Sequence, residues 1–335
     1  MRKAIWMICI LLCGCAAPAG TAEGGTAIFG FNGESEEGIY HLVSGQQGNQ
    51  VYYYDGGSDM DVPLCNLPNC EHTAPTCPSI ALTAYEDKRM SIPPLYAGDQ
   101  LYLFYENTST LENVLCTAKV DGSDRKELMQ LPQDIIVSAV IEGDKLYMTC
   151  NGMAVDEDGA LTGTSNTYKN YVISLGDKQV KQLETEESTA LYYLGSYEGT
   201  IYAQAVSDTG GIYQTDLVTV SENKIEVKKE NVQTLSHLIG KYAYWNRNGL
   251  IMQCDVTTGE DKQYWTPVNG EYKIQSIRPD GLMVLLQENS TGDTGDMYYA
   301  DLCHKKIIQS EDTPAGFFHG DLLVKTGEQG LLKKG

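Results

Sequence analysis

Along most of this chain apolar and polar residues alternate with period two, in runs of about six to ten residues broken by Gly, Asn or Asp. That period predicts strands whose successive side chains face opposite sides of a sheet, and it excludes helical repeats. One phrase recurs: a Gly or Asp-Gly turn followed by an aromatic or aliphatic strand. It reads "EEGIYHLVSG" near Gly38, "AGDQLYLFYEN" at Gly98, "EGDKLYMTCNG" at Gly143 and "YEGTIYAQAVS" at Gly199. It returns as "IGKYAYWNRNG" at Gly240, "PDGLMVLLQEN" at Gly281 and "HGDLLVKTGEQ" at Gly320. A second strand and then a short third strand follow most copies, as in "LCTAKVDGSD" and "RKELMQL".

Repetition at about 40 to 56 residues is the spacing of four-stranded propeller blades. The expected fold class is therefore all-β, a β-propeller of seven blades, with six or eight as neighbouring counts and a β-sandwich as the rival architecture. The 22 Tyr together with many Val, Ile and Thr agree with pleated sheet. The last copy stops at "GLLKKG" after three strands, so ring closure is expected to take an outer strand from the N-terminal side, "GTAIFGF". One domain is expected over residues 26–335. Residues 64–93 break the alternation and read as a loop inserted between the first two repeats.

The first residues change the picture by giving an address. Arg2 and Lys3 precede a short apolar run from Ala4 to Leu12, the layout of an export signal over residues 1–14. The run is too short to span a bilayer, which takes about 20 apolar residues. It ends in "LCGC", a lipobox-like sequence with Cys15 as the expected lipidation site. Residues 15–25, "CAAPAGTAEGG", read as a flexible tether. The expected location is extracytoplasmic, anchored to a bacterial cell membrane by an N-terminal lipid and by nothing else.

Charge excludes one class of partner. There are 24 basic and 45 acidic residues, and losing Arg2 and Lys3 with the leader takes the formal charge from −21 to −23. Such a chain is repelled by nucleic-acid phosphates and by anionic lipid head groups.

Candidate chemistry concentrates in "LCNLPNCEHTAPTCPS". Cys65, Cys70, His72 and Cys77 form C-x4-C-x-H-x4-C. Three thiolates and an imidazole make a complete tetrahedral set for zinc, and closed sites of this kind are structural. Pro63, Pro68, Pro75 and Pro78 stiffen the loop. A local disulfide is the rival, since exported proteins use them, and a redox-active thiol beside His72 is a third reading. Cys116, Cys150, Cys254 and Cys303 each fall in a different repeat, inside alternating strands, where cysteine behaves as a small buried hydrophobe.

The stretch "GNQVYYYDGGSDMDVPLCNLPNCEHTAPTC" resembles the opening of a group of lipoproteins from clostridia-like gut bacteria, similar to propellers with YWTD- or TolB-like repeats that are grouped under a domain of unknown function. The resemblance covers the leader, the cysteine loop and the blade phrase, and only the loop is specific. It implies Gram-positive surface attachment and a propeller, and it implies no reaction. The short final repeat departs from the pattern.

No G-x-S-x-G elbow, P-loop, dinucleotide fingerprint or H-E-x-x-H occurs in the sequence. His41, His72, His237, His304 and His319 are scattered. The acidic turns with Asp156, Glu157 and Asp158, and with Asp293 and Asp296, lack the calcium-loop spacing, so calcium is not expected. Tyr192, Tyr193 and Tyr197 are candidates to stack on a sugar but fit strand faces better. The functional expectation is a monomeric, non-enzymatic binding or scaffolding protein that takes a glycan, peptide or protein at one mouth of the ring. The alternative is a propeller hydrolase or lyase using channel carboxylates. An inward carboxylate with a basic partner would favour the enzyme, and an apolar or Tyr-lined floor would favour binding.

Overall fold

The computed structural model describes residues 33–335 apart from 46–47, 74–76, 80–87, 91, 108–109, 111, 156–160, 209–212, 233–237, 248, 268–271, 279, 289–293 and 328–330. The leader, Cys15, the tether, "GTAIFGF" and His237 thus lie outside the described residues, as do Asp156, Glu157, Asp158 and Asp293.

Within the described residues the chain is all-β, a seven-bladed propeller. Blade 1 contains Gly33–Glu34, Gly38–Gly45, Gly48–Asp55 and Met60–Pro63. Blade 2 contains Lys88–Arg89 and Leu95–Ala97 on one side of Gln100–Asn107, then Asn113–Lys119 and Lys126–Leu131. Blade 3 is Ile135–Glu142, Lys145–Val155, Leu161–Ser174 and Val180–Gln182. Blade 4 is Thr189–Tyr197, Thr200–Asp208, Tyr213–Val220 and Ile225–Lys229.

Blade 5 shows Tyr242–Arg247, Leu250–Asp255 and Asp261–Trp265. Blade 6 is Tyr272–Ile277, Leu282–Glu288, Thr294–Asp301 and Lys306–Ile308. Blade 7 is Thr313–Phe318, Asp321–Thr326 and Leu331–Lys334. Every pairing is antiparallel, and each blade draws its described strands from one contiguous stretch. First strands of successive blades touch around the centre, from blade 1 through blade 4, so they line the channel.

Two-residue turns set the register of these hairpins. Gly98 and Asp99 both have positive φ, 57° and 60°, as do Glu198 and Gly199, 49° and 71°. A turn with two left-handed residues matches the right-handed twist of the strands it joins, which is why Gly recurs there.

The apolar residues do not form one core. They form six layers, each between two neighbouring blades. Period-two alternation explains this. In Gln100–Asn107, Leu101, Leu103 and Tyr105 face blade 1, while Phe104 and Tyr102 face blade 3. In Lys145–Val155, Leu146, Met148 and Cys150 face blade 2 and Tyr147 faces blade 4. Cys116, Cys150 and Cys254 are buried in these layers, and Cys303 is half-buried. Burial pushes the Cys150 thiol up to about 12 and that of Cys254 to about 11, as expected of inert packing residues.

Polar atoms complete the seams. Ser138 Oγ accepts from the Tyr193 amide at 2.9 Å, and an Asp280 carboxylate oxygen accepts from the Phe317 amide at 2.7 Å. The ring closes between blades 1 and 7 without an exchanged strand among the described residues. There the Leu332 and Lys334 amides donate to Asp61 at 2.7 Å and Asp59 at 2.9 Å, so one carboxylate from the outer strand of blade 1 and one from the turn before it hold alternate residues of the last strand of blade 7. Asp61 also bonds buried His41 Nε2 at 2.9 and 3.0 Å, and Tyr54 donates to Asp59 at 2.8 Å.

Candidate metal centre and channel mouth

The outer strand of blade 1, Met60–Pro63, ends in Leu64, whose amide donates to Val51 at 2.9 Å; the cysteine loop starts there. The loop brings Cys65, Cys70, His72 and Cys77 together, with one ligand atom of each all within 4.8 Å of one another. A tetrahedral zinc with Zn–S of about 2.3 Å sets its sulfurs about 3.8 Å apart, so a small contraction seats an ion. Cys77 is buried, and the other three residues are half-buried.

Local backbone makes this convergence possible. Asn69 and His72 take left-handed φ of 56° and 54°, uncommon for residues other than glycine. The turn at His72 brings its Nδ1 to 3.3 Å from Cys77 Sγ, and Gln50 Nε2 holds the His72 carbonyl at 2.9 Å. Ser79, fully buried, sets its hydroxyl 3.0 Å from Cys77 Sγ, and its carbonyl accepts from Val51 at 2.7 Å.

Burial pushes the Cys77 thiol up, but hydrogen bonds from Ser79 and His72 outweigh it and bring the thiol down to about 6. Burial raises Cys65 to about 11, with the neighbouring thiols of Cys77 and Cys70 adding to the rise. One thiolate is thus favoured and a second opposed, until a cation shares them.

Two rivals weaken. Cys65, Cys70 and Cys77 are joined by no disulfide in the structure. A redox centre needs an exposed thiolate, whereas Cys77 is 2% exposed.

The mouth of the ring supplies a second site, one that the sequence had not singled out. Asp134 stands at the start of Ile135–Glu142, the inner strand of blade 3, with a φ of 116° that side chains rarely adopt. Its carboxylate lies 3.0 Å from Lys169 Nζ, and its carbonyl accepts from Asn113 Nδ2 at 2.7 Å. The hydrogen bond to Asp134 raises the Lys169 pKa, keeping the ammonium charged. Next to Asp134 in the chain, Ile135 and Ile136 help wall a small pocket of about 20 Å³, room for a water, together with Ile92, Phe104 and Tyr105, with Glu106 and Asn113 as its polar groups.

Other sequence candidates have structural partners. Tyr193 is buried between blades 3 and 4, and Tyr192 and Tyr197 are half-buried strand residues. His304 bonds Asp301 within a turn, and exposed His319 stacks on Phe318. Asp296 lies in the strand Thr294–Asp301.

No protein-family model and no curated protein matches the chain. Solved structures do. An acylaminoacyl peptidase from Pyrococcus horikoshii superposes with a TM-score of 0.56 at 14% identity, over 91% of this chain and 50% of that one. A puromycin hydrolase gives 0.51 at 8% identity, over 89% of this chain and 50% of that one. The β-propeller domain of the Trilobed protease from Pyrococcus furiosus, described as having an open velcro topology, gives 0.50 at 12% identity, over 88% and 90%. The chain spans about half the length of the first two. At these identities the likeness establishes the propeller fold.

It also corrects the expectation of a binding or scaffolding protein that is not an enzyme; the lipid anchor expected at Cys15 lies outside the described residues. The propellers it resembles belong to a peptidase, a hydrolase and a protease. Tyr192, Tyr193 and Tyr197 are strand residues, the better fit of the two readings their sequence offered.

Proposed function

We propose that this chain is the propeller of a peptide-hydrolysing enzyme, with Asp134 and Lys169 as its reactive pair. The observation that carries this reading is Asp134: a strained residue at the start of the inner strand of blade 3, held by a lysine and next to a water-sized pocket. Strain of this kind costs about 1–3 kcal/mol and concentrates where geometry serves function. A carboxylate so placed acts as general base toward a water, and the ammonium beside it stabilises the developing oxyanion. The peptidase and hydrolase propellers that share the fold support the substrate class. Because the chain spans half of those two enzymes, its activity is itself part of the proposal.

The test is release of p-nitroaniline from N-acylated aminoacyl anilides by the purified chain. Asp134→Asn should lower turnover by about 100-fold or more with little change in Tm. Equal turnover in wild type and variant, or none in wild type, would end this reading.

A second reading is favoured by the convergence of three sulfurs and one imidazole nitrogen: the loop is a structural zinc clasp. Soft thiolate ligands in a closed four-residue set suit zinc over calcium or magnesium. It is tested by metal analysis of protein purified without added zinc. About one equivalent is expected in wild type and none in Cys70→Ser; metal-free wild type sinks it.

A further inference from the structure

We infer that Arg125, from blade 2, is the charge-balancing partner of the metal clasp; this rests on the zinc reading above. Zinc bound by three thiolates and a neutral imidazole leaves one net negative charge in a half-buried loop, and such a charge needs a partner. The four ligands supply no cation, and neither do Gln50 and Ser79, which brace His72 and Cys77.

Arg125 is placed to supply one. It precedes the outer strand Lys126–Leu131 and sends its guanidinium back across the seam between blades 2 and 1. There Nη2 donates to the carbonyl of Pro78, the residue next to the ligand Cys77, and Nη1 donates to Tyr105 Oη at 2.6 Å. The guanidinium carbon also sits 5.8 Å from the Tyr105 ring centroid. Tyr105 is itself buried, so the cation is fixed from below by an aromatic wall and aimed at the clasp. A second link runs nearby, where Asn66 donates to Asp121 at 3.4 Å, but it joins polar groups at the surface and adds no positive charge. The Arg125 contact nearest the ligands runs through the Pro78 carbonyl, one residue from Cys77. It is a positioning and charge-balancing residue, and through Tyr105 it ties the clasp to the wall of the water-sized pocket.

The experiment is competition for zinc between the full chain and a chromogenic chelator, with cobalt absorption as a check on the ligand set. Arg125→Gln keeps a donor for the Pro78 carbonyl but removes the charge; it should weaken zinc binding about 10- to 100-fold at unchanged stoichiometry. Arg125→Lys restores the charge and should bind nearly as tightly as wild type. A merely structural arginine would make both variants equally weak, because lysine replaces neither the fork nor its bond to Tyr105. That outcome overturns the inference, as does wild-type affinity in Arg125→Gln. If the Gln variant does not fold, Tyr105→Phe, which leaves the guanidinium in place, is compared with Arg125→Lys. Near-wild-type affinity in both supports charge balance, and a loss of tenfold or more in either overturns it. Wild-type protein that takes up neither zinc nor cobalt defeats the clasp itself, which separates that failure from the failure of Arg125.

Discussion

Blade 1 is held on its two sides by opposite chemistry. Toward blade 7, Asp59 and Asp61 accept two backbone amides, and His41 and Tyr54 brace those carboxylates. Toward blade 2, a proline-stiffened loop gathers three thiols and an imidazole and leans on Arg125. Every donor on the first side meets its acceptor within the polypeptide. On the second side the thiols oppose one another's ionisation, and only a cation turns that opposition into cohesion. One seam therefore closes within the polypeptide, and the other closes around a metal.

This contrast can be broken from either end. The largest effect is expected from Cys70→Ser. Structural zinc contributes about 10–16 kcal/mol of apparent binding free energy at neutral pH. Even a net loss of about 4 kcal/mol would lower Tm by roughly 6 °C in a ring of about 300 residues, and limited proteolysis should then cut within residues 64–93. Next is Asp61→Ala, which strips buried His41 and the Leu332 amide of one shared acceptor. It should cost about 3 kcal/mol in a chemical-denaturation curve while leaving metal content intact.

Asp59→Ala removes the partner of Tyr54 and Lys334 at the same seam; because Asp59 is solvent-exposed, a smaller loss than for Asp61→Ala is expected by the same measurement. The smallest effect belongs to a control far from both seams. Asp255 in blade 5 is lowered to about 2, first by Lys241 and then by Thr257. A carboxyl with a folded pKa below its unfolded value of about 3.9 stabilises fully above that value, and the stabilisation is lost as pH falls toward 2. Asp255→Asn should thus flatten the acid limb of Tm against pH between about 4 and 2. At neutral pH its cost should stay below about 1 kcal/mol, because the pair is partly solvent-exposed.

Blades were legible in the chain because each inner hairpin repeats the same turn and the inner strands pack neighbouring blades on both faces. Gly98, Gly143, Gly199, Gly240, Gly281 and Gly320 all stand at positive φ in the structure. The cysteine loop was legible too, since its ligands fall within thirteen consecutive positions. Asp134 was not: nothing in "LPQDIIVS" distinguishes it from other acids until the fold brings Lys169 and Asn113 to it from other strands. Its twisted backbone leaves no trace in composition. The seam carboxylates were hidden for a related reason, because Asp61 and Leu332 are 271 residues apart in sequence. The function expected from the sequence failed because the mouth that decides between binding and catalysis is built from several blades at once.

The layered apolar interior carries a consequence for how the molecule comes apart. No blade has a core of its own, so stability passes from neighbour to neighbour around the ring. Among the described residues the six apolar layers join every adjacent pair except blades 6 and 7, where the Asp280–Phe317 bond stands. Like a bracelet with one slender link, the ring should open there first, and amide exchange at Phe317 should report that opening before any other seam gives way.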